Sequence, residues 1–86
     1  MDAIKVSSRS VPKSVAGAIA AAVRDNGSAC VQAVGAGAVN QAVKAIAIAR
    51  VFFSEENTEI VCLPSFSELD VNGEEKTGMS FIVEVR

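Results

Sequence analysis

Eighty-six residues, half of them hydrophobic, are enough for one domain with a real core and too few for two. A net charge of −2 speaks against indiscriminate coating of DNA. The absence of histidine removes the commonest general base, the commonest metal ligand and the usual partner of a Ser or Cys nucleophile. The chain is therefore expected to bind and not to catalyse, without metal or cofactor.

The apolar half is mostly Ala, Val and Ile, with four Phe and neither Tyr nor Trp. Small side chains let elements approach closely but leave few large anchors, and a domain this short often gains buried area by oligomerising. Charge is unevenly spread. Residues 1–53 carry six basic and two acidic side chains, whereas residues 54–86 carry two basic and eight acidic ones. One part of the surface is thus expected to be basic and another acidic. Cys30 and Cys62 sit in separate apolar runs, form no CxxC pair, and read as buried reduced thiols. The start lacks a charged-then-apolar signal pattern and no apolar run approaches the ~20 residues of a membrane span, so the expected location is cytoplasmic.

In chain order, Ile4 to Ser7 alternates briefly and predicts a first strand. A serine-rich loop follows, in which Ser10 or a neighbour can cap a helix whose first turn tolerates Pro12. That helix is expected from about Pro12 to Arg24, with Val15, Ile19, Ala22 and Val23 on one stripe. Asp25-Asn26-Gly27 stops it, because Asn or Gly can take the left-handed conformation at a helix end. Ala29 to Val34 predicts a second strand, largely buried because its alternation is weak.

Gly35-Ala36-Gly37 turns the chain into a second helix, about Ala38 to Phe53. Asn40, Lys44, Ala47 and Val51 share one face, flanked by Gln41 and Ile48, and the opposite face holds Ala42, Ala45, Ile46, Ala49 and Phe53. A helix apolar on both sides is usually covered on both sides, so Ala47, Ile48 and Val51 are candidate contacts with a second subunit. Glu59 to Leu63 predicts a third strand, where Pro64 marks a bulge or an edge. Met79 to Arg86 predicts a fourth, and Asn72-Gly73 between them is the strongest hairpin signal in the chain. Leu69, Val71 and Lys76 can extend the last two strands into a projecting arm. The order β-α-β-α-β-β fits an α/β two-layer sandwich, a four-stranded mixed sheet with both helices on one face, forming a single domain over 1–86.

Two constellations carry chemistry. Gly35-Ala-Gly37-Ala-Val-Asn40 follows a strand and opens a helix, as a phosphate-binding turn must, but the third glycine of GxGxxG is replaced by Asn40. Arg9, Lys13, Asn40, Gln41 and Lys44 form the second. If the first two strands run parallel, the loop after each opens at the same sheet edge, and a basic loop meets a polar helix face able to hold a polynucleotide backbone. Base stacking has only Phe to draw on. A protein-interaction module presenting an acidic hairpin and a small-anion or nucleotide site on the Gly35–Gly37 turn are the alternatives.

Lys5-Val-Ser, Pro12-Lys-Ser-Val-Ala-Gly-Ala-Ile, the segment Gln32 to Arg50 and Asn72-Gly-Glu-Glu-Lys-Thr closely resemble the stage V sporulation protein S family, a resemblance covering essentially the whole chain. That family looks like a branch of the Alba-like fold, whose members are dimeric DNA- or RNA-binding proteins. The resemblance implies a homodimeric nucleic-acid binder acting as a sporulation regulator. It implies contacts from the loop before the first helix, the turn before the second and a projecting hairpin. Arg9 and Lys13 fall where Alba proteins carry paired lysines. Gly35 and Gly37 stand where they carry two arginines, with Asn40 and Gln41 in place of a serine and a lysine. Lys44 supplies a charge nearby, and the hairpin here is acidic.

Overall fold

The structure is a computed structural model that describes residues 2–86. Strand β1 (Ala3–Val6) leads to helix α1 (Pro12–Asn26) and strand β2 (Ser28–Ala33). Helix α2 (Ala36–Ser54) then precedes two twelve-residue strands, β3 (Ile60–Val71) and β4 (Glu74–Val85). The expected β-α-β-α-β-β order and four-stranded mixed sheet are both present, with strand order β1-β2-β4-β3. β1 and β2 pair in parallel, and β4 pairs antiparallel with both β2 and β3. Hence β1, β2 and β3 all run the same way.

Burial shows which face of the sheet is covered. Ala29, Val31 and Ala33 of β2 are buried with Phe81 and Val83 of β4, and they form one core with Ala16, Ile19, Ala20 and Val23 of α1. From α2 the core receives Ala38, Ala42, Ala45, Ala49 and Phe53. Alanine repeated at this spacing lets α2 lie close to its neighbours, and Phe53 closes the far end. Burial of β2 strictly alternates, contrary to the expectation of a largely buried strand. Both helices occupy one side, so Ser28, Cys30 and Gln32 face the uncovered side.

The cysteines are free, as expected, but less buried than expected. Cys30 lies on the open face and Cys62 on the outer strand of the sheet, and both are half-buried. Ser10 also differs from its expected role. Val11 occupies the cap position of α1 without a side-chain cap, while the Ser10 hydroxyl accepts the Ser7 N–H at 2.9 Å and closes the loop. α1 ends as expected at Gly27 in the left-handed conformation, with its N–H donated to the Val23 carbonyl at 2.8 Å. At 19 residues, α2 is long and apolar enough by length and composition to span a membrane, although Asn40, Gln41, Lys44 and Arg50 interrupt it so that no unbroken apolar run approaches that length. Its alanine-lined side is packed into the core.

The last two strands run well beyond their apolar runs, as the expected projecting arm requires. Their apolar patterns predict 59–63 and 79–86, yet the strands pair continuously from Ile60–Val85 to Val71–Glu74. Asn72 and Gly73 have φ of 54° and 82°, so both central residues of the two-residue loop are left-handed, as a type I′ hairpin needs. β2 ends opposite Met79, so the rungs from Ser67–Gly78 onward extend past the sheet as a free arm. Five rungs give it a reach of about 17 Å at ~3.4 Å per residue. The molecule is accordingly elongated, 41 × 22 × 17 Å. Pro64 sits in regular register opposite Phe81, and of the two roles expected for it the edge position is the one it has.

Candidate nucleic-acid interface

Because β1 and β2 are parallel, the loop entering α1 and the turn entering α2 open at one edge of the sheet. Two contacts join them. The Gln41 side-chain Nε2 donates to the Ser10 carbonyl at 2.9 Å. Gly37 lies so near Ser8 that a Cβ on it would stand 3.0 Å from the Ser8 Cβ. The loop is internally braced as well, since the Ser7 hydroxyl accepts the Arg9 N–H at 3.2 Å and the Ser7 carbonyl accepts the Ser10 N–H at 3.1 Å. Arg9 therefore projects from a fixed turn.

The entrance to α2 is built for close approach. Gly35 caps it at φ 91°, a conformation that a side chain would strain, and no side chain caps the first-turn N–H groups. The first turn contains no acidic residue, so the positive end of the helix dipole is uncompensated there. Arg9, Lys13, Asn40 and Lys44 are exposed along with Gly35 and Gly37. Gln41 is half-buried, and its donor is spent on holding the two entrances together. Among the described residues the ion pairs are Arg24–Glu56 and Arg86–Glu59, so Arg9, Lys13 and Lys44 belong to none.

The arm expected from the hairpin signal reaches this edge as well. β3 runs in the same direction as β1 and β2, so its overhanging end rises from the same edge. Between the arm and the two entrances lies a cleft of about 570 Å³, reached by Lys5 and Gln32 from the sheet and by Leu69 and Val71 from the arm. Gly78 makes this junction possible. A Cβ there would stand 2.7 Å from the Ala33 carbonyl oxygen and 2.8 Å from Val34 Cγ2. The arm itself is acidic and exposed at Glu68, Asp70, Glu74 and Glu75, with Asp70 directly opposite Glu75. Like charges facing one another across a pair are unfavourable.

On the far side of α2, Ala47 and Val51 are exposed and Ile48 is half-buried against the core. Val43 extends this apolar strip, and between α2 and the edge strand β3 a groove of about 470 Å³ is lined by Val43, Ile46, Ala47 and Cys62 among others. Phe66, 82% exposed on β3, stands farther along the same strand. Its place in the edge strand is hidden in the sequence, where the apolar pattern ends at Leu63. Burial pushes the Cys62 thiol above the ordinary thiol range.

Taken together, the molecule is a two-layer α/β domain whose two helix entrances and hairpin arm share one edge. The chain matches the model of the family described as Stage V sporulation protein S (SpoVS) over residues 2–86, and it belongs to that family. It is thus a sporulation-related protein.

Proposed function

We propose that this protein is a dimeric nucleic-acid-binding regulator that acts without catalysis. The carrying observation is the Gln41–Ser10 hydrogen bond, which ties the loop beside exposed Arg9 and Lys13 to α2, the helix that has an open N-terminus and bears exposed Lys44. Cations and free N–H groups on one surface suit phosphate oxygens, and phosphate contacts fix a protein on a polynucleotide without reading sequence. Asn40 adds a polar contact, and Gly35 and Gly37 let the backbone come close. Pairing through Val43, Ala47 and Val51 with the Phe66 edge would bury apolar surface that one copy leaves bare, and it would double the number of cationic entrances.

Titration with duplex DNA and with RNA at low salt tests the reading. Binding that weakens with salt and with Lys13→Ala or Lys44→Ala supports it. No binding of either polymer at low salt removes it.

The acidic arm favours a second reading, a protein-interaction module, because four exposed carboxylates repel phosphate. Charge reversal at Glu74 and Glu75 separates the two, since it should strengthen nucleic-acid binding and abolish docking of a basic protein partner.

A further inference from the structure

We propose that the cleft at the foot of the arm receives one unstacked nucleobase, so that the protein prefers strands with unpaired bases. The inference rests on the nucleic-acid reading above and specifies the form of polymer bound. The cleft, at about 570 Å³, lies within the roughly 300–1,000 Å³ of small-molecule sites. Its walls are unlike the rest of the cationic edge. Val34 at the end of β2 and Leu69 and Val71 of the arm give it apolar side chains from two elements, whereas Val6 and Ala33 are buried in the core.

Polar groups stand where a base and its phosphate need them. The Gln32 amide offers both a donor and an acceptor to a base edge. The Asp70 carboxylate takes the Gly73 N–H at 3.0 Å through one oxygen, Oδ1, which fixes its orientation and leaves the other oxygen for an exocyclic amino group. At the rim lie Lys5 and the uncapped start of α2, a cation and N–H donors for the phosphate of the same nucleotide. Extruded bases are held between apolar side chains and read by hydrogen bonds on their Watson–Crick edge. A base inside a duplex presents neither its faces nor that edge, so the slot discriminates against paired strands. Among the described residues no aromatic ring lines the cleft, and the base is held by aliphatic packing.

The test uses the full chain and three probes of equal phosphate number at low salt: a single strand of mixed sequence, its abasic counterpart and a duplex. The expected result is that the base-bearing single strand binds about tenfold more tightly than the other two, as one base edge hydrogen-bonded by Gln32 would give. Gln32→Ala should bring that ratio close to one while the abasic strand keeps its wild-type affinity, which also shows that the variant is folded. Equal affinity for all three probes overturns the base slot and leaves the nucleic-acid reading standing. A ratio that survives Gln32→Ala overturns the location in this cleft. Failure of every probe to bind overturns both readings.

Discussion

Replacing Gly78 by Ala tests how the arm is joined to the body. The added methyl would stand 2.7 Å from the Ala33 carbonyl oxygen, 2.8 Å from Val34 Cγ2 and 3.0 Å from Leu69 Cδ1. The two side chains can rotate away, but the carbonyl belongs to β2 and its register with β4. Overpacking of this kind costs about 1–3 kcal/mol, which exceeds the ~0.5–1 kcal/mol that Ala ordinarily gains over Gly in a strand. Net of that gain the central cost is about 1.2 kcal/mol, and since each kcal/mol moves Tm by roughly 4–8 °C for a domain of this size, a fall of about 5–10 °C is expected. Gly17→Ala is the matched control. Gly17 is exposed within α1 with nothing within 4 Å of the added carbon, and there the same substitution should raise Tm by about 2–8 °C. Both melts are followed by circular dichroism at one protein concentration, because a dimer's Tm depends on concentration. A Gly78→Ala protein that melts with the wild type would refute the close junction, and with it the arm's position over the cleft.

Sedimentation should show a wild-type dimer, with Val51→Glu or Phe66→Ser shifting it to monomer; dimers that persist in both variants would place the interface elsewhere. Glu59 is held below the usual carboxylate range by the hydrogen bond from Arg86 Nη1 at 2.5 Å. A depressed folded value means that its stabilisation is present above the unfolded pKa and is lost as pH falls through the folded one. NMR titration of Glu59 should therefore give a midpoint below that of an ordinary glutamate, returning toward it in Arg86→Ala; an ordinary midpoint in the wild type would contradict the pairing. The raised Cys62 thiol should alkylate more slowly at pH 8 than a small free thiol, and more slowly still at concentrations where the proposed dimer would cover the groove it lines. Reaction at the free-thiol rate at all concentrations would count against that burial.

Much of the fold is legible in the sequence because local signals agree with it. Pro12 at a helix start, Gly27 at its end and the alanine spacing of α2 each follow from backbone geometry and periodicity. Asn72-Gly73 announces its turn for the same reason. The extension into an arm is legible from Asn72-Gly73 with Leu69, Val71 and Lys76, but its length is not, since residues 64–71 mix Pro, Ser, Glu and Asp and lack the apolar alternation of a covered strand. An arm beyond the sheet has no core to face, so nothing imposes that pattern. The convergence of Arg9, Lys13 and the α2 entrance follows from parallel pairing of two strands. Gln41 reads in the sequence as a polar contact there, whereas its amide also braces the loop, a role that needs the third dimension. The cleft is invisible for a related reason: its walls lie on three separated segments, and no spacing rule links Gln32 to Val71.

The salt dependence of polynucleotide affinity, compared between wild type and a Lys13→Ala/Lys44→Ala double variant, tests the cationic edge most directly. Removing one lysine–phosphate pairing should lower the slope of log affinity against log salt by about 1, so the double variant should show a slope smaller by about 2 at undiminished thermal stability. An unchanged slope would mean that these lysines touch no phosphate, and the edge where the helices begin would then serve another partner.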